Sequence, residues 1–176
     1  THARDAGLSK ANDDEIAYRC RLIRNHGSKI RYYHEIIGYN YRMTNMAAAI
    51  GIPQLKKLDE FNNKRIKNAE YLTKRLSKLK WLITPKARSN SRHVFHQYTL
   101  RIIGKDRDEV AKILTSKGVG NSVYYPVPAT LQKPYKELKV SMPVSEKMAN
   151  EVLSIPVHPA LSNEEMDYIE KTVEEI

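Results

Sequence analysis

At 176 residues, with 41% hydrophobic and 28% charged residues, the chain can bury the core of one ordinary domain and is too apolar to be disordered. No apolar run approaches the ~18 residues of a membrane span, and no charged-then-apolar leader pattern opens the sequence. The net charge of +10 is uneven, +12 over residues 1–92 and −2 over residues 93–176, so anions such as phosphates or nucleotides would be drawn to the first half.

Residues 13–25 read as a helix with Ile16, Cys20 and Ile23 on one face. Cys20 is the single cysteine. It has no internal disulfide partner and reads as a small buried hydrophobe in a reducing, cytoplasmic setting. Residues 28–43 form a tyrosine-rich loop. It ends in Gly38-Tyr39-Asn40-Tyr41-Arg42-Met43-Thr44. Thr44 stands where an N-cap stands, and three alanines follow it. A polar loop running into a helix N-terminus suits an anion, since free N–H groups and the helix dipole point at it and Arg42 adds a fork of donors. The plainer reading is a surface turn capped by threonine with two tyrosines packed on it.

A short helix is expected over residues 44–52, with Pro53 opening a new one. Leu55, Leu58, Phe61, Ala69, Leu72, Leu76 and Leu79 then recur at helical spacing, which predicts an amphipathic helix to about residue 80. Its many lysines read as a solvated face. A break follows at Trp81–Arg92. The second half alternates strand and helix: a strand over His93–Ile103, a helix over Asp106–Lys117 with Val110, Ile113 and Leu114 inward, and Gly118 as its stop. A short strand is expected at Asn121–Tyr125, an extended segment at Pro126 and Pro128, and a helix over Glu146–Leu153. Ile155–Val157 reads as extended, and Ser162–Glu175 as a helix with a capping box at Ser162 and Glu165. This order predicts an α/β architecture, a small sheet covered by helices on one face.

Six histidines raise the question of a metal. Only His93 and His96 are close, and three apart on a strand they would face opposite sides, so no metal site is expected. No nucleophile-elbow pattern supports a Ser/His/Asp hydrolase. Basic residues interleaved with exposed aromatics, or a known module, would be needed for nucleic acid, and neither is evident.

Gly38-Tyr39-Asn40-Tyr41-Arg42-Met43-Thr44, followed by Ala48, Gly51 and Gln54-Leu55, resembles the signature of the DegT/DnrJ/StrS-type sugar aminotransferases. Further blocks follow the family's order: Arg24-Asn25-His26-Gly27 upstream, then His96-Gln97-Tyr98, then Tyr124-Tyr125-Pro126-Val127-Pro128 with Leu131-Gln132, then Ser154-Ile155-Pro156-Val157-His158-Pro159. The resemblance covers roughly residues 15–176. It implies the aspartate-aminotransferase fold, pyridoxal 5'-phosphate (PLP) as cofactor, an amino-acid donor and a nucleotide-linked keto-sugar as acceptor. It also implies a homodimer with the active site at the interface. Residues 1–52 would then be a remnant of the large PLP-binding domain with the interface loop, 53–80 a linking helix, and 81–176 the small C-terminal domain.

Carried over, Asn40 reaches the phosphate of the partner's PLP, and Arg42 orients the loop or adds charge. The block around Tyr125, Thr130 and Tyr135 lines the sugar side of the cleft. Where the family usually carries a histidine, this chain has Thr130, which puts the usual sugar contacts in question. In the family the lysine that holds the cofactor lies shortly before a Gly-Glu-Gly-Gly segment. No such segment occurs in the 176 residues, and the setting of Lys10 does not match. The expectation is therefore a C-terminal portion, inactive alone, with the cofactor lysine outside it. Two alternatives stand beside it: a sugar dehydratase of the same fold, and a non-catalytic basic module that binds nucleotides or RNA.

Overall fold

The computed structural model describes residues 11–176; Lys10 lies outside the described residues. The chain divides into two compact units, one up to Leu58 and the other from Asp59 onward. The division falls inside one helix.

In the first unit, α1 (Asp14–Ile23) starts at Asp13, whose carboxylate accepts from the Ile16 N–H at 2.9 Å. The expected burial of Cys20 is corrected. Ile16, Cys20 and Ile23 are exposed and Leu22 is the buried residue. The reason is local: the Leu22 carbonyl accepts from Asn25 and Gly27, so the turn after the helix folds back beneath Leu22. The tyrosine-rich segment is more ordered than a loop. It holds an antiparallel pair, β1 (Ser28–Ile30) and β2 (Tyr33–His34).

The next helix, α2, runs unbroken over Asn45–Leu76 with Pro53 inside it, where two helices were expected. A proline removes one hydrogen bond, here to the carbonyl of residue 49, and helix-forming neighbours carry the rest. Of the predicted apolar stripe, Ala69, Leu72 and Leu76 are buried, whereas Leu55 and Leu58 are exposed.

The second unit is built on a three-stranded antiparallel sheet in the order β3 (Leu82–Ile83), β4 (Tyr98–Ile102), β5 (Val152–Ile155). Tyr98 pairs with Ile155 and Leu100 with Leu153. Along β4, burial alternates with period two. Tyr98, Leu100 and Ile102 join Ala69, Leu72 and Leu76 of α2 in one core. That core also takes Val110 and Leu114 of α3 (Arg107–Ser116), and Met166, Ile169 and Val173 of α5 (Asn163–Glu174).

Several boundaries move. β3 lies in the expected break; two residues are too few to show a period. β4 starts at Tyr98 because Phe95 takes a left-handed φ of +46° and its N–H donates to His93 Nδ1 at 2.9 Å. His93 and His96 are therefore off the strand. Ile113 is exposed. Asn121–Tyr125 contributes one bridge, Ser122 to Ser154, in place of a strand. The next helix, α4, spans Pro143–Glu151 with its proline in the first turn, and the chain is already extended at Val152. Gly118, at φ +78°, terminates α3 as expected, and both bonds of the Ser162–Glu165 capping box form.

Polar ties hold the helices. Tyr71 on α2 donates to Asp167 and Glu170 on α5. Those bonds hold its phenol above the ordinary tyrosine range. Arg75 pairs with Glu170 at 2.9 Å and stacks on the Tyr71 ring. The buried Arg107 guanidinium donates to the Ala149 and Val152 carbonyls, each at 3.0 Å, and fixes the start of α3 to the α4–β5 junction.

Candidate functional site

The first unit brings two separated sequence blocks into one piece. The Tyr39 N–H donates to the Ile23 carbonyl at 2.6 Å, His26 N–H to Tyr39 at 2.9 Å, and Tyr41 N–H to Arg24 at 3.1 Å. Asn25 and Asn40 form an antiparallel bridge between them. Two glycines permit this approach. Gly27 sits at φ +70°, where a Cβ would lie 1.7 Å from the Ile36 carbonyl oxygen; a Cβ on Gly38 would lie 2.0 Å from the Gly27 nitrogen.

Arg42 donates to Asn25 Oδ1 at 2.7 Å, and Asn25 in turn donates to the Ser28 carbonyl. Thr44 Oγ1 accepts from the Ala47 N–H at 3.1 Å, so Thr44 caps α2 as its sequence position suggests. A recess of about 630 Å³ opens in this unit, lined among others by Tyr18, Arg21, Arg24, Lys29, Tyr41 and Arg42. Among the described residues, four cations line it and no carboxylate does. At its edge Tyr18 donates to Glu35 at 2.9 Å, and that bond raises the phenol above its ordinary value. Asn40 is exposed and is not part of this lining. Its amide has no partner among the described residues. Tyr39 and Tyr41 stack with ring centroids 4.9 Å apart.

The second unit carries a separate recess of about 600 Å³, mainly apolar. Tyr125 and Thr130 line it together, with Tyr124, Gln132, Met142 and Met148. Tyr125 is 78% exposed. The Thr130 hydroxyl is buried without a hydrogen-bond partner among the described residues. Tyr135 is not brought to this recess; it is exposed and precedes a 3-10 turn at Lys136–Leu138. The wall contributed by α4 was not foreseen. Its signal was Pro143, a first-turn residue that places Val144, Met148 and Ala149 on one helix.

A family model for the DegT/DnrJ/EryC1/StrS aminotransferases matches residues 3–174. A pleiotropic regulatory protein of Geobacillus stearothermophilus is 40% identical over 176 residues, covering 97% of this chain and 47% of that protein. UDP-N-acetyl-3-dehydro-alpha-D-glucosamine 3-aminotransferase of Acidithiobacillus ferrooxidans is 34% identical, covering 93% of this chain and 44% of that enzyme. The crystal structure of DesV from S. venezuelae superposes with a TM-score of 0.87 at 32% identity, over 93% of this chain and 44% of that one. The chain thus spans about half the length of the curated relatives it matches.

Proposed function

The chain belongs to the DegT/DnrJ/EryC1/StrS aminotransferase family, and from that premise we propose that the complete protein transfers an amino group from an amino-acid donor to a nucleotide-linked keto-sugar. Members of this family depend on PLP, which when bound supplies an electron sink at the carbon that exchanges the amine. The observation that carries the reading is the joining of residues 24–27 to residues 38–44 at the start of α2. It puts Arg42 into a recess lined, among the described residues, by four cations and no carboxylate. Such a lining suits a phosphate: the cations oppose its charge, and Arg42, braced by Asn25, offers planar paired donors.

In this reading the residues of this chain bind and orient. Asn40 presents two amide donors without adding charge. It serves the site of a partner subunit, so the working unit is a homodimer. The exposed Tyr32, Tyr33, Tyr39 and Tyr41 supply the amphipathic aromatic area that interfaces favour. In the second unit, Tyr125 and Thr130 contact the sugar. Among the described residues no helix is long and apolar enough to cross a membrane, and the reading places the reaction in the cytoplasm.

We further propose that the lysine that holds the cofactor lies outside these 176 residues and that they carry out no transfer alone. The decisive experiment loads the complete protein with PLP and offers an amino-acid donor with a panel of nucleotide-linked keto-sugars. Mass spectrometry should find one sugar converted to its amine; a cofactor-loaded protein that aminates none overturns the reading. Borohydride reduction of the 176-residue chain with PLP, followed by peptide mapping, tests the second claim. A single lysine labelled in stoichiometric yield, with turnover, would refute it.

A further inference from the structure

Two sequence blocks have no role in the reading above: His96-Gln97, before β4, and Pro156-Val157-His158, after β5. The second unit folds them onto a further recess of about 470 Å³, which shares Tyr124 with the apolar one. Arg65 of α2 and Ser122 complete its polar lining, and among the described residues no aspartate or glutamate belongs to it.

The donors converge on a braced frame. Ser122 and Ser154 exchange both backbone hydrogen bonds, at 3.0 and 2.8 Å. The Asn68 amide donates to the His158 carbonyl at 3.1 Å and ties that turn to α2. The Asn121 amide holds the Ala111 and Val119 carbonyls and Thr115 Oγ1. Arg65 spends Nη1 on Asn62 at 2.9 Å, which fixes the plane of the guanidinium and leaves its other donors. The imidazoles of His96 and His158 and the Ser122 hydroxyl have no partner among the described residues. A recess with an oriented guanidinium, two imidazoles, a hydroxyl and no carboxylate selects for negative charge. An oxyanion satisfies several donors at once and pairs with the planar fork.

We propose that this recess is an oxyanion-binding site, which takes the carboxylate or phosphate group of a small ligand on Arg65, His96 and His158. The assignment stands on the second unit alone and holds whatever reaction the complete protein performs.

The test follows the side-chain N–H signals of His96 and His158 in the complete protein, assigned through His96→Gln and His158→Gln. Inorganic phosphate is titrated in one arm and glutarate in the other. Both histidine signals should move together and saturate. Movement with phosphate alone identifies a phosphate-bearing ligand; movement with glutarate alone identifies a carboxylate. Arg65→Gln should weaken binding about tenfold or more, the loss of a charged hydrogen bond. Arg65→Lys, which keeps the charge without the fork, should fall between. Arg92→Gln is the control: it removes an equal charge from a residue that bonds Asn63 outside the recess, and should leave binding unchanged. The absence of saturable movement with either probe overturns the site. Equal weakening by Arg65→Gln and Arg92→Gln also overturns it, since that is nonspecific attraction to a basic surface.

Discussion

Arg42 donates to the side-chain oxygen of Asn25 at 2.7 Å, across 17 residues of sequence. Since that oxygen accepts from Arg42, the Asn25 amide nitrogen is turned to the Ser28 carbonyl. The pair therefore fixes both the guanidinium and the amide. Neither asparagine nor arginine is unusual by itself; their opposition depends on the turn between α1 and β1.

Asn40→Ala in the complete protein should weaken PLP retention and leave the fold intact. A hydrogen bond to a charged group is worth roughly 1.5–3 kcal/mol, about ten- to a hundredfold in affinity. The defect should act in trans. Mixing this variant with one lacking the cofactor lysine gives hybrid dimers with one site carrying both defects and one carrying neither. Activity should return on subunit exchange; exchange without recovery removes the assigned role of Asn40.

Arg107→Ala should cost about 3 kcal/mol in denaturant unfolding. The side chain is buried and donates to two carbonyls at the α4–β5 junction, and its loss removes both bonds from a buried site. A cost below ~1 kcal/mol would mean that water replaces it freely.

Tyr98 gives a pH signature. Burial pushes its phenol up to about 12 from 10.0, with a smaller opposing contribution from its bond to Thr73. The folded state favours the neutral phenol, so its stabilisation is complete below pH 10 and is lost as pH rises toward 12. The loss is on the order of 3 kcal/mol. Tyr98→Phe should remove this component, seen as a shallower fall in stability than wild type between pH 10 and 12. Parallel curves would count against it.

Thr130→Val should hold or raise stability, by about 1 kcal/mol. The hydroxyl is buried without a partner among the described residues, and replacing it with a methyl of the same shape removes an uncompensated desolvation cost. A clear loss of stability in thermal unfolding would show that the hydroxyl is satisfied after all.

Much of this was legible because local chemistry decided it. Asp106 and Ser162 announce helix starts, Gly118 announces a stop, and the β-forming residues of His93–Ile103 mark a strand. The family blocks could be read in order, but their spatial partners could not. Nothing in the sequence says that the His96 block and the His158 block meet, because strand pairing between β4 and β5 brings them together. The expected burial of Cys20 failed for a related reason. Ile16, Cys20 and Ile23 have helical spacing, yet the burial of Leu22 is set by a turn that periodicity does not contain. Two-residue β3 lies below the length at which any period can be seen, and Pro53 does not break α2 because its helix-forming neighbours carry the remaining hydrogen bonds.

The Gly27–Gly38 approach also bears on how this sequence can drift. A crowded side chain is usually tolerated when a neighbour shrinks. Here a Cβ on either glycine meets main-chain atoms, which no substitution at the neighbouring position can make smaller. Neither glycine has a compensating partner. A first mutation at 27 or 38 cannot be rescued by a second across the contact, whereas Arg42 and Asn25, which meet through side chains, could exchange roles together. The loop that carries Asn40 is therefore anchored at two positions with no neutral path away from glycine, and selection for new ligands must work on the residues between and beyond them.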